Sequence, residues 1–260
     1  MSASATTTVA ESGLAISFTD VEKRYGSHVA LRRLSLKIAP GEFVALVGAN
    51  GSGKTTLLRM AALLSRPTSG KIEFQNALKF HNDDPNSAAL TPAEIKLRIG
   101  MVGHFTMLYD ELSAEENLRF FAKLYGLHDP NRISAEALIP AGLASRAKDL
   151  VRTFSRGMRQ RLAIARALLA NPSILLFDEP AAGLDREGAS WLAQTLSALR
   201  KTGATVIMSS HGQSEALTLA TRAIAMRNGT LIEDSGPNGN ARAIIEREAA
   251  PIAGIWDSAQ

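Results

Sequence analysis

The sequence predicts an α/β fold with a mainly parallel sheet, an antiparallel β portion at the N-terminal side and an inserted helical subdomain. Apolar strand patterns at residues 173–178 and 205–209 alternate with a helical pattern at 186–201, and such alternation is typical of a parallel sheet covered by helices. Two strand patterns, at 14–18 and 30–38, come first and are joined through a loop. In between, helical patterns predominate from residue 105 to about 156. Ser113 and Glu116 predict a capping box at the start of one helix, and a second helical region is predicted at 135–151, broken near Pro140.

These patterns divide the chain into three parts. Residues 1–13 are rich in Ser, Thr and Ala and are predicted to be disordered. Residues 14–235 are predicted to form one domain that includes the helical subdomain at about 105–156. Within this domain the sequence predicts a polar surface insertion at 75–91, a helix at 214–221 and two short strands at 223–227 and 230–234. Residues 236–260 form a C-terminal tail, in which one helix is predicted at 241–249.

Composition limits the possible functions. The 260 residues are 45% hydrophobic and 21% charged, as in ordinary globular proteins. The absence of cysteine excludes disulfides, thiolate catalysis and Cys-based metal sites, and fits a cytosolic location. The net charge of +4 is spread along the chain, so no nucleic-acid partner is predicted. No apolar run approaches the roughly 20 residues that span a bilayer, so a function at a membrane would require another polypeptide to cross it.

A glycine-rich loop lies between a buried strand pattern at 42–47 and an apolar helix that is predicted to include Leu63 and Leu64. It reads Gly48, Ala49, Asn50, Gly51, Ser52, Gly53, Lys54, Thr55 and Thr56. This is a complete G-x-x-x-x-G-K-[ST] pattern, whose backbone N–H groups and helix N-terminus favour phosphate. Lys54 would reach the β- and γ-phosphates and the Thr55 hydroxyl would hold Mg²⁺. The sequence therefore predicts a P-loop NTPase-type core that binds ATP and Mg²⁺.

Two carboxylates end a later apolar strand, Ile-Leu-Leu-Phe-Asp-Glu-Pro at 174–180. Asp178 is placed to hold Mg²⁺ near the phosphates, and Glu179 to orient and deprotonate a water molecule. His211 follows the next strand pattern. A lone histidine is more often structural, but at this position His211 could also hydrogen-bond a γ-phosphate.

Residues 154–161, Phe-Ser-Arg-Gly-Met-Arg-Gln-Arg, resemble the signature segment of the ATP-binding cassette family, the ATPase subunits of ABC transporters. The usual form of that segment is Leu-Ser-Gly-Gly-Gln. Ser155 and Gly157 match it, whereas Phe154, Arg156 and Met158 depart from it. The phosphate loop, the carboxylate pair, Asp185 and His211 fall in the family's order, so the resemblance covers about 14–233.

The resemblance implies a role for each matching residue. Tyr25 would stack on adenine, Asp185 would belong to the nucleotide site, Glu179 would be the general base and His211 the switch histidine. Ser155 and Gly157 would bind the γ-phosphate of ATP held by a second copy of the chain. The implied partners are therefore a second ATPase copy and a membrane-spanning permease, with the chain peripheral at the cytoplasmic face of the inner (plasma) membrane.

His104 is a departure from the family, which has a glutamine after the strand at 99–102. No glutamine lies between Gln75 and Gln160. A neutral histidine can ligate a metal, so His104 would either contact Mg²⁺ or only replace a contact to the membrane partner.

Three segments suggest a subfamily. Residues 102–104, 108–118 and 154–161 are similar to the ATPase of the cytochrome c maturation system, which implies haem export. The alternatives are another ABC exporter (of a drug, lipid or polysaccharide), a non-transport cassette ATPase, and a degenerate cassette that binds ATP without turnover. Glu179 argues against the last of these.

Overall fold

The computed structural model describes residues 13–76, 90–182, 184–210 and 215–249. The predicted disorder of 1–13, the predicted polar insertion at 75–91 and the predicted site residue His211 therefore lie largely or wholly outside the described residues.

The described strands and helices follow the predicted alternation. The strands are β1 (Leu14–Tyr25), β2 (His28–Ile38), β3 (Phe43–Val47), β4 (Ser69–Asn76), β5 (Ile99–Val102), β6 (Ile174–Asp178), β7 (Thr205–Ser210), β8 (Arg222–Arg227) and β9 (Thr230–Asp234). The α-helices are α1 (Lys54–Ala61), α2 (Pro92–Leu97), α3 (Ala114–Leu124), α4 (Pro130–Leu138), α5 (Arg156–Leu168), α6 (Arg186–Lys201) and α7 (Ala241–Ala249). Short 3₁₀ helices cover Ala144–Arg146, Val151–Thr153 and Glu215–Leu219.

Two sheets organise the chain. The central sheet has the strand order β5-β6-β7-β3-β8-β9 and is parallel except for β9, which runs antiparallel to β8. The other sheet, β2-β1-β4, is antiparallel. The predicted fold class is confirmed. Because β3, β7 and β6 are parallel neighbours, their carboxyl ends meet at one edge, where open α/β sheets bind ligands.

Apolar side chains cover both faces of the central sheet. Successive residues of a strand point to opposite faces. Val44 and Leu46 accordingly pack in one cluster with α1 and the antiparallel sheet, while Ala45 and Val47 pack in another with α6 and α7. Every residue of β3 and β6 is buried, as expected for parallel strands covered on both sides.

The helical part has a core of its own, built from residues such as Leu118, Leu138 and Leu162. At the start of α3 the predicted capping box is present, because the Glu116 N–H donates to Ser113 Oγ at 3.3 Å and the Ser113 N–H donates to Glu116 Oε2 at 2.8 Å. Such a box satisfies two N–H groups that a helix N-terminus leaves free.

The second predicted helical region, at 135–151 with a break near Pro140, differs from the structure in its start and in its second half. The structure begins α4 at Pro130, a favoured first helical residue since it needs no N–H partner. Asp129 caps the helix by accepting from the Arg132 N–H at 3.2 Å. Between Leu138 and the start of α5 the only helices in the structure are two short 3₁₀ helices.

Three smaller differences concern helix ends and short helices. The helix at 92–97, capped by Thr91, was missed because the surrounding stretch is polar. Helix α1 stops at Ala61, and Leu63 adopts a φ of 56°. The helix expected at 214–221 is a 3₁₀ helix where the structure describes it.

Arg222 connects three parts of the central sheet region. It is 7% exposed and donates to Glu42 Oε2 at 2.8 Å and to Asp234 Oδ2 at 2.6 Å.

We expect Arg222→Met to lower the free energy of unfolding by about 3 kcal/mol, because both acids lose their buried partner. The free energies of unfolding are measured by urea titration monitored with circular dichroism. As control, Arg242→Met breaks an exposed pair with Glu246 and should cost less than about 1 kcal/mol; equal losses would contradict a special role for Arg222.

Candidate functional site

The phosphate loop lies between β3 and α1, at the carboxyl edge of the central sheet. Gly48, Gly51 and Gly53 have φ angles of 139°, 78° and 107°, a region that favours glycine. A Cβ on Gly48 would lie 2.2 Å from the Met226 carbonyl oxygen, and one on Gly53 would lie 2.7 Å from Leu31 Cδ2. Close packing against Met226 and Leu31 of the same chain therefore requires glycine at 48 and 53.

Lys54 is folded back into this loop. It is 4% exposed, and its Nζ donates to the carbonyl oxygens of Gly48 at 2.6 Å and Ala49 at 3.1 Å. Burial lowers the pKa of Lys54, while the charges of Glu179 and Asp178 raise it. The ammonium group is thus held by neutral carbonyls, which phosphate oxygens would replace with stronger, charge-assisted partners.

The loop also contains a buried polar atom that lacks a partner. Ser52 Oγ has no hydrogen-bond partner among the described residues, although the side chain is 4% exposed. Such a group normally indicates an absent ligand, ion or water. The loop therefore fits a phosphate-bearing ligand.

Two of the three residues predicted as Mg²⁺ contacts, Thr55 and Asp178, touch each other. Asp178 ends β6, is 5% exposed, and its Oδ1 accepts from Thr55 Oγ1 at 3.1 Å. Among the described residues no group of three or more His, Cys, Asp or Glu side chains could hold a metal. A carboxylate with a hydroxyl is nevertheless the kind of partial oxygen site that Mg²⁺ uses together with substrate phosphates.

Glu179 has an unusual backbone. Its φ is 53°, which is uncommon for a residue other than glycine and tends to occur at functional sites. Its N–H donates to Ser209 Oγ at 3.0 Å, so β7 supports this conformation.

Ser209 was missed by the sequence prediction. It is fully buried, lies opposite Asp178 in the register of β6 and β7, and its hydroxyl donates to Asp178 Oδ1 at 2.7 Å. One hydroxyl thus orients the carboxylate of Asp178 and the backbone of Glu179. A polar residue ending a buried apolar strand was the available signal.

A cleft of about 470 Å³ adjoins the carboxylate. Its lining includes Thr55, Asp178, Tyr25 and His104. Tyr25 ends β1 and is 48% exposed, so its ring is accessible for stacking on a base. The structure therefore brings His104 and Tyr25 to the predicted phosphate and metal residues.

The signature segment lies elsewhere. Ser155 caps α5, its Oγ accepting from the Met158 N–H at 3.2 Å, and of the described residues that line the cleft none belongs to this segment. A Cβ on Gly157 would meet nothing closer than 4.0 Å, so packing within the chain does not require glycine there.

Asp185 caps α6 by accepting from the Gly188 N–H at 2.7 Å. It too lies outside the residues that line the cleft.

No helix in the described part of the chain is both long enough and apolar enough to cross a membrane.

Comparisons with known proteins define the family. Residues 31–182 match the model of the ABC transporter family. The chain is 38% identical to the ABC transporter ATP-binding protein NatA of Bacillus subtilis over 84% of this chain and 87% of NatA. It is 39% identical to the bacitracin transport ATP-binding protein BcrA of Bacillus licheniformis (84% and 69% covered). It is 35% identical to the Nod factor export ATP-binding protein I of Cupriavidus metallidurans (84% and 70% covered).

Solved structures show the same fold. One of them is the ATP-binding cassette MJ0796, solved as a dimer in a post-hydrolysis state bound to ADP and Pi. It superposes on this chain with a TM-score of 0.73 at 29% sequence identity. The match covers 86% of this chain and 99% of the MJ0796 chain.

The chain belongs to the ABC transporter family. It is an ATP-binding, ATP-hydrolysing subunit, and subunits of this kind pair with membrane permeases and form dimers. The more specific prediction of a haem exporter is not supported, because these relatives are named for bacitracin transport and Nod factor export.

Proposed function

We propose that this chain is the ATPase of an ABC exporter and acts as a pair of copies bound to a permease at the cytoplasmic face of the plasma membrane. The observation that carries the proposal is the meeting of Lys54, Thr55, Asp178 and Glu179 at one sheet edge, through contacts between residues up to 123 positions apart.

Each of these residues has a proposed part in hydrolysis. Lys54 would exchange its loop carbonyls for phosphate oxygens of ATP, and Thr55 and Asp178 would hold Mg²⁺. The ion, when bound, would neutralise charge on the phosphates. Glu179 accepts a proton from the attacking water, and Ser209 keeps both acidic residues in position. His104 lines the cleft, where it would contact either the nucleotide's metal or the permease.

Two copies are needed because the signature segment lies outside the chain's own cleft. We infer that Ser155 and Gly157 contact ATP held by the other copy, at the N-terminus of α5, where the helix dipole favours phosphate. The dimeric state of the related cassette MJ0796 and the absence of a packing reason for glycine at 157 support this arrangement.

An exposed surface on the helical part suits the permease. Tyr109, Phe120 and Leu124 are 49%, 41% and 65% exposed, and the rings of Tyr109 and Phe120 pack edge to face with centroids 5.0 Å apart. We call these three residues the apolar surface. Exposed apolar groups gathered in this way commonly mark protein interfaces.

For the cargo, we infer an antibiotic-like or other exported small molecule rather than haem. The relatives named for bacitracin transport and Nod factor export support this inference. This inference corresponds to the alternative of another ABC exporter, which the sequence also allowed.

The test is reconstitution with a candidate membrane permease. We expect ATP hydrolysis in proteoliposomes to rise severalfold with the permease and again with a transported antibiotic, but not with haem. Stimulation by RNA or DNA that is lost steeply with salt, without any effect of the permease, would contradict the proposal. Stimulation by haem alone would restore the haem-exporter prediction.

A further inference from the structure

Arg166 lies inside the protein where three elements meet. It belongs to α5 and is 4% exposed. Its Nη2 donates to the Met101 carbonyl oxygen on β5 at 2.6 Å, and its guanidinium carbon lies 5.1 Å from the centre of the Phe121 ring on α3. The Arg166 side chain thus joins α5, the edge strand β5 of the central sheet, and α3 in the helical part.

The position is costly for a charged group. Burial lowers the pKa of Arg166, and its Nε has no hydrogen-bond partner among the described residues. A buried unpaired donor destabilises the folded state, and apolar residues can often replace buried charges without loss. Packing alone therefore does not explain an arginine here.

The two contacts of Arg166 lead to different functional regions. Met101 lines the nucleotide cleft, and His104, three residues on, lines it too. Phe121 packs against both rings of the apolar surface, with centroids 6.2 Å from Tyr109 and 5.3 Å from Phe120. A planar guanidinium can hydrogen-bond at its edge and stack through its face at the same time, which lysine cannot do.

We propose that Arg166 is a positioning residue that couples the nucleotide cleft to the apolar surface, by holding the cleft wall at Met101 and the Phe121 ring in one arrangement. The proposal rests on the proposed function, since it assigns the cleft to ATP and the apolar surface to the permease. Because coupling between two binding sites is reciprocal, a partner on the apolar surface would change ATP affinity through the same side chain.

The chain has no cysteine, so the coupling can be measured with spin labels on an otherwise unmodified protein. One label is attached at Lys123→Cys, which is exposed on α3, and the other at Lys201→Cys, which is exposed at the end of α6. The distance between the two labels reports the separation of the helical part from the central sheet. Distances are recorded by electron paramagnetic resonance without nucleotide and with ATP, in a Glu179→Gln background. ATP affinity is measured by calorimetry on the same samples.

We expect ATP to shift the label distance in the parent protein and the shift to be lost in Arg166→Met and in Phe121→Leu. ATP affinity should fall by about fivefold in both. Arg166→Lys, which can keep the bond to Met101 without stacking on the ring, should give an intermediate result. Arg222→Met is the matched control, a buried arginine away from the cleft, and should keep the full shift despite its lower stability.

The proposal is overturned if folded Arg166→Met and Phe121→Leu proteins keep both the distance shift and the ATP affinity. It is also overturned if the parent shows no shift, or if Arg222→Met loses the shift equally. Failure of the proposed function would appear separately, as a lack of ATP hydrolysis and of permease stimulation in the protein with native Glu179 and Arg166.

Discussion

Glu179→Gln is expected to stop ATP turnover while leaving ATP bound between two copies of the chain. The amide cannot accept a proton from water, and general base catalysis typically contributes about 10²- to 10⁴-fold in rate. The backbone bond from residue 179 to Ser209 does not involve the replaced group, so the site geometry should persist. Phosphate release measures turnover, and size-exclusion chromatography with light scattering measures the ATP-dependent dimer.

The control for this change is Glu136→Gln, on α4 and outside the proposed site. The Glu136 side chain is 56% exposed and pairs with Arg132, so its loss should leave turnover within about twofold, as for most surface substitutions. Unchanged turnover in Glu179→Gln would remove Glu179 from the role of base. Absent turnover in the parent chain would instead indicate a degenerate cassette.

Lys54→Ala is expected to abolish most ATP binding. Hydrogen bonds to charged groups contribute about 1.5–3 kcal/mol each, so removing the ammonium should weaken ATP binding by roughly 10- to 100-fold. Without ATP the same change should leave the melting temperature nearly unaltered, because burial of the ammonium is itself unfavourable, as its lowered pKa indicates. Calorimetry in the Glu179→Gln background separates binding from turnover.

Lys96→Ala, on an exposed face of α2, controls for the loss of one positive charge. It should leave ATP affinity unchanged within about twofold, since exposed charges away from a site are largely screened. Retained affinity in Lys54→Ala would contradict the phosphate role of Lys54. A large fall in melting temperature without ATP would show that the lysine serves the fold instead.

The structure shows how far local patterns extend. The capping box at Ser113 and the bounds of α6 and β9 agree with their predictions, because periodicity and caps are local signals. The start of α4 was missed, because the apolar pattern at 135–151 predicted a later helix. Asp129 and Pro130 are nevertheless a recognisable helix start.

The haem-exporter prediction depended on short segments around His104 and Ser155. These segments are short, whereas the similarity to NatA and BcrA extends over 84% of the chain and therefore outweighs them.

By itself, the sequence determined the α/β class, the phosphate loop, the Asp178–Glu179 pair and the family, because each is written in consecutive residues or in a local period. Only the tertiary structure decided that Ser209 supports both acidic residues, and that Arg166 joins the cleft to the apolar surface. Arg166 and Met101 are 65 positions apart. Such contacts depend on strand order and helix packing, which no local pattern specifies.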